Sequence, residues 1–133
     1  MDIEKLEDKF LNYSKALSRL KESLERDESD DIVLDAVIQR FEFTYELSWK
    51  LLKVYLSYNG LAEVRTPREA FKEAFAVGLL DEGDVWIDML DDRNRTSHTY
   101  EEAQARVIYE KVKCKYYGIL NKLKESIGRE LEV

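Results

Sequence analysis

The chain has 133 residues and a formal charge of −7, with 37% charged residues, five glycines, one proline, one cysteine and one histidine. That length suits one domain, residues 1–133, around one core, and the lone cysteine excludes an internal disulfide. Scarce glycine and proline favour helices over many short strands, and no run of about 18 apolar residues suggests a membrane span.

Leu6, Phe10, Tyr13, Leu17, Leu20 and Leu24 are spaced four, three, four, three, four. They predict one apolar stripe on a helix over roughly residues 2–27. "RDESDD" then breaks the pattern and offers Asp30 or Asp31 as an N-cap. A second helix is expected over roughly 31–58, with Leu34, Ile38, Phe41, Tyr45, Leu52 and Tyr55 as its main stripe. Val37, Phe43, Leu47, Trp49, Leu51 and Leu56 spread round its remaining circumference, which suggests a central helix or a dimer face. Asn59–Gly60 supplies a left-handed stop.

"TPREAF" begins a third, short helix, with Thr66 as N-cap, Pro67 at the first helical position and Glu69 closing a capping box. It should end at Gly78. A fourth helix starts near Asp81 or Gly83 and carries Val85, Trp86, Met89 and Leu90. A fifth is expected to be capped by Thr99, with Glu102 as its capping-box partner. Its stripe is Ala105, Tyr109, Val112, Tyr116, Ile119 and Leu123, and it should fray near Gly128. Short connections favour antiparallel neighbours, so the expectation is an all-α domain of four or five helices.

The charge is uneven. Residues 81–102 carry two bases and eight acids, whereas residues 103–133 carry seven bases and four acids. Phosphate binding needs accumulated Lys and Arg, so a broad nucleic-acid surface is not expected near residues 81–102. Asp84, Asp88, Asp91 and Asp92 recur at helical spacing, a pattern that suits Mg²⁺ but more simply reads as a solvated face near a helix N-terminus. One His and one Cys cannot build an ordinary structural zinc site. Cys114 reads as a small core residue. The N-terminal "MDIEKLEDKF" has no apolar leader-like run, and with a lone cysteine this suggests a cytoplasmic protein.

"RNRTSHTY", residues 93–100, lies between the fourth and fifth helices and holds the only histidine. Arg93, Asn94 and His98 are residue types that metal-free phosphodiester cleavage needs. An imidazole moves protons at neutral pH, and a guanidinium holds a phosphate through a planar fork. The amide of Asn94 can orient either group. The competing reading is a cap and loop in which Arg93 pairs with a nearby Asp and His98 donates to a carbonyl. Arg65, Arg68 or Lys111, Lys113 and Lys115 would have to offset the local acidity if phosphate binds.

The same octapeptide resembles the Arg-(four to six residues)-His motif of HEPN domains, in the Arg-Asn-x-x-x-His-x-Tyr form of the partners of minimal nucleotidyltransferases. "FEFTYELSWKLLK", "TPREAFKEAFAVGLL" and "WIDMLDDRNRTSHTY" resemble the nucleotidyltransferase substrate-binding protein family, from the first helix to about Leu123. The resemblance implies an up-and-down helical bundle that forms a homodimer, paired with a separate minimal nucleotidyltransferase. Related HEPN chains are toxins that cleave RNA, silenced when the companion adds AMP to the motif tyrosine. Carried over by position, the catalytic pair is Arg93 and His98, Asn94 is the polar neighbour, and Tyr100 is the modified tyrosine. No metal and no cofactor is implied. The chain itself has no nucleotidyltransferase Gly-Ser and paired-Asp signature.

Overall fold

A computed structural model of the chain describes residues 3–98 and 101–131, with every side chain in them except those of Ser97 and His98. The elements are α1 (Ile3–Leu24), α2 (Asp31–Tyr58), α3 (Pro67–Ala76), α4 (Gly83–His98), α5 (Glu102–Lys111), a π-helical turn (Val112–Tyr116) and α6 (Tyr117–Leu131). No strand occurs among the described residues. None of the described helices is long and apolar enough to cross a membrane.

The helix ends follow local chemistry. Asp30 caps α2 by accepting from the Ile32 amide, and Thr66 caps α3 by accepting from the Glu69 amide. Both α2 and α3 stop in Schellman turns. After α2, the Leu61 amide donates to the Leu56 carbonyl and the Gly60 amide to that of Ser57. After α3, Leu79 donates to Ala74 and Gly78 to Phe75. Gly60 and Gly78 supply the required positive φ, +67° and +83°.

The expected cap of α5 is not what forms. Glu101 stands at the N-cap with no side-chain hydrogen bond, and Glu102 is the first helical residue rather than the third. Glu102 instead pairs with Arg106 one turn on, at 3.4 Å. Thr99 lies outside the described residues.

Four helical runs alternate in direction: α1, α2, α4 and residues 102–131. Arg40 of α2 donates to the Arg19 carbonyl of α1. Glu42 of α2 meets Thr96 of α4. Glu82, just before α4, pairs with Lys122, and Tyr13 of α1 donates to the Leu120 carbonyl. α2 also packs along α5, and its Phe41 stacks on Tyr116 of the π-helical turn with ring centroids 5.6 Å apart. α3 lies against α2 and α4 through a tilted chain of rings, Tyr45–Phe71–Trp86.

All six residues of the α2 stripe are buried, as are Val85, Trp86, Met89 and Leu90 of α4. The circumference of α2 divides: Val37, Leu51 and Leu56 are core, Leu47 and Trp49 are half-buried, and Phe43 is 63% exposed. The stripe from Ala105 to Leu123 is buried throughout, yet Cys114 is exposed, against expectation. Val112 and Tyr116 occupy the core, and Cys114, two residues from each and so about 200° round the helix from Val112, falls on the outer face. Nor does the helix fray at Gly128. It continues to Leu131 because Ile127 is buried and the bare Gly128 lets the Phe10 ring approach, so that an added Cβ would lie 3.4 Å from it.

Candidate functional site

α4 carries the motif to its last turn. Arg93 faces α2, where its Nη1 lies 3.9 Å from Glu42 Oε2, a loose pair at the surface with both side chains a little over a quarter exposed. Thr96, one turn on, donates 3.0 Å to the same Glu42 oxygen and also 2.8 Å to the Arg93 carbonyl. Glu42 thus holds Arg93 and Thr96 together from a helix much earlier in the sequence. Glu42, from the neighbouring helix, is an acid that pairs with Arg93.

Beneath this pair is the Tyr45 ring, buried between α2 and α3. Burial, with the Glu46 charge, pushes its phenol well above its usual value, while the Arg93 and Arg68 guanidiniums pull the other way. The Tyr45 hydroxyl has no hydrogen-bond partner among the described residues.

On the opposite side of α4, Asp92 departs from the expected solvated acidic face. Asp84, Asp88 and Asp91 are exposed, but Asp92 is 2% exposed. It accepts a short hydrogen bond from the Tyr116 hydroxyl, and bonds from Lys111 at 3.2 Å and Arg95 at 3.4 Å. Burial and the Asp92 carboxylate push the Tyr116 phenol far above its usual range. A buried carboxylate needs such partners. The result locks α4 to residues 111–116 immediately beside Arg93.

Acids or a ring engage the three lysines expected to offset the local acidity. Lys111 is engaged by Asp92, Lys113 pairs with Glu28 at 2.7 Å, and Lys115 lies over the Tyr116 ring at 5.9 Å.

Asn94 is exposed and away from the Arg93–Glu42 contact. His98 is the final residue of α4, one turn beyond Asn94, so the motif does lie at a helix junction. Its side chain and all of Tyr100 lie outside the described residues. No cluster of three metal-ligating side chains occurs among the described residues. Sequence reasoning missed Glu42 and Asp92. Glu42 carried no local signal, and Asp92 looked like three exposed neighbours.

A family profile described as "Nucleotidyltransferase substrate binding protein like" matches residues 8–129. The chain belongs to this family. The nucleotidyltransferase substrate-binding family match runs from the second turn of α1 to the last turn of α6. A curated relative from Haemophilus influenzae, "Probable ribonuclease HepT", is 35% identical over 86 residues, covering 62% of this chain and 59% of that protein. A crystal structure from Thermus thermophilus superposes with a TM-score of 0.77 at 36% identity, covering 88% of this chain and 97% of that one. The helical bundle is thus shared with a solved structure at 36% sequence identity.

Proposed function

We propose that the chain is the HEPN-type partner of a separate minimal nucleotidyltransferase, as its substrate-binding subunit or its protein target, in a toxin–antitoxin-like pair. The observation that carries this reading is the family match over residues 8–129, joined to the intact Arg-Asn-x-x-x-His-x-Tyr series at the end of α4. The target form predicts a covalent step. The Tyr100 hydroxyl attacks the α-phosphorus of ATP, its proton leaves to solvent or a base, and pyrophosphate departs. Mass spectrometry of the chain after incubation with the partner and ATP checks it. The expected result is an AMP adduct on the peptide with Tyr100, absent from Tyr100→Phe.

A second reading is favoured by the name of the Haemophilus influenzae relative and by Arg93 reaching the surface while anchored by Glu42. In it the chain is a metal-independent ribonuclease acting as a homodimer whose two motifs share one cleft. His98 accepts the proton of an RNA 2′-hydroxyl as that oxygen attacks the adjacent phosphorus. The 5′-oxygen leaves with a proton, and a 2′,3′-cyclic phosphate remains. Arg93 offsets the charge on the pentacoordinate phosphorus. Asn94 orients one of these groups. AMP on Tyr100 adds charge and bulk at the cleft mouth and blocks RNA. RNA degradation by the purified chain and by His98→Ala tests this reading. Cleavage should fall by about 10²-fold or more on loss of the general base, and equal, negligible cleavage by both proteins would sink it.

A further inference from the structure

The sequence places its basic excess in residues 103–133, but folding neutralises much of it, as Lys111 and Lys113 show. An uncompensated positive surface appears elsewhere. Between α1 and α2 lies an open groove of about 480 Å³, within the size range of ligand sites. Its cations are Lys15, Arg19 and Arg40, and no carboxylate is among its lining residues. None of the three makes an ion pair with a described residue. Arg40 is held in place by a 2.6 Å bond from its Nη1 to the Arg19 carbonyl, which ties its guanidinium across the groove to α1. Its apolar wall is Phe43 with Leu47, and Phe43 turns most of its ring to solvent. The Asn12 and Gln39 amides complete the lining.

We infer that the α1–α2 groove docks single-stranded RNA, its phosphates on Lys15, Arg19 and Arg40 and one base against the Phe43 ring. This inference rests on the ribonuclease reading and supplies the phosphate-binding surface that the acidic motif region lacks. Cations beside an exposed aromatic face are how single strands are held, because every base has a face to stack and every linkage a charge. The amides of Asn12 and Gln39 can meet base edges. Gln39 to Leu47 spans about 12 Å of helix, room for a short stretch of strand but not for a helical partner of several turns. A second copy of the chain fits poorly. A two-fold contact would bring Lys15, Arg19 and Arg40 of both copies together with no acid to meet them. The position also suits delivery to the motif. Phe43 directly follows Glu42, so the groove and the Arg93 contact open about 100° apart round α2.

The test is fluorescence anisotropy of a labelled, unstructured RNA oligonucleotide with the full chain carrying His98→Ala, which keeps the strand intact. Adding Lys15→Glu with Arg19→Glu should weaken binding on the order of tenfold or more near 0.1 M salt and flatten the salt dependence by about 1.4 logarithmic units per decade. Adding Phe43→Ala should weaken binding with the salt slope unchanged. Should the charge reversals perturb the melt, Lys15→Gln with Arg19→Gln takes their place. Unchanged affinity and slope in these variants overturns the inference. So does a change in sedimentation alone, which would make the face a contact between copies. Cleavage by the unsubstituted chain, measured beside Arg93→Ala, separates the two claims. Motif-dependent cleavage without groove-dependent binding removes only the groove, and groove-dependent binding without cleavage removes only the ribonuclease.

Discussion

Asp92 and Glu42 show how much of a site is decided by single carboxylates whose partners lie far along the chain. Asp92 takes bonds from Lys111 and Tyr116, 19 and 24 residues later. Replacing it with Ala leaves a buried phenol without its acceptor, and Lys111 only partly able to rehydrate. The expected loss of stability is about 2–3 kcal/mol, read from urea unfolding, with Asp92→Asn losing less because its amide oxygen still accepts from Tyr116. Nothing in "DEGDVWIDMLDDR" separates Asp92 from Asp84, Asp88 and Asp91, since an aspartate's burial depends on what the opposing helix brings. Glu42 was hidden for the same reason: its role appears only when α4 lies across α2. The motif residues were legible because their chemistry is unusual at that spacing, not because their contacts could be read.

At the scale of the element, the termini of α2 and α3 were legible because their signals act within a few residues. Asp30, Thr66 and Pro67, Gly60 and Gly78 each do locally what their residue types favour. Gly78→Ala should therefore cost about 1–2 kcal/mol, because the left-handed conformation at φ +83° is strained for any residue with a Cβ. Thermal unfolding checks the size. The π turn was not legible. It leaves the apolar stripe intact, whereas the exposure of Cys114 was legible, because two residues from Val112 is about 200° round a helix, opposite that stripe. Cys114→Ser should change stability by no more than about 0.5 kcal/mol, as for a surface position. A larger loss would return the thiol to the core. Glu101 replaced the expected Thr99 cap because α5 begins later than the capping-box pattern suggested.

For the whole molecule, the core is rich in phenols held neutral. Tyr13, Tyr45 and Tyr116 are buried, and burial raises all three above the usual value of 10.0. Groups raised in the fold contribute stability that is full below the unfolded value and is lost as pH climbs towards the folded one. Above about pH 10 the unfolded chain releases these protons and the folded chain keeps them, so stability must fall with rising pH. Tyrosinate absorbance should show these three ionising only with unfolding. Folding also redistributes charge. The net −7 concealed a basic groove because Lys15, Arg19 and Arg40 come from segments that are acidic or neutral in sum. The alternating bundle was legible in outline from its stripes and short connections, whereas this surface required the pairing of α1 with α2.

The central claim is that this helical chain works with a separate minimal nucleotidyltransferase. Sedimentation of the purified chain mixed with a minimal nucleotidyltransferase from the same organism tests this most directly. The account predicts one stable complex at micromolar concentrations, heavier than either protein alone. Two species that sediment independently across that range would contradict it.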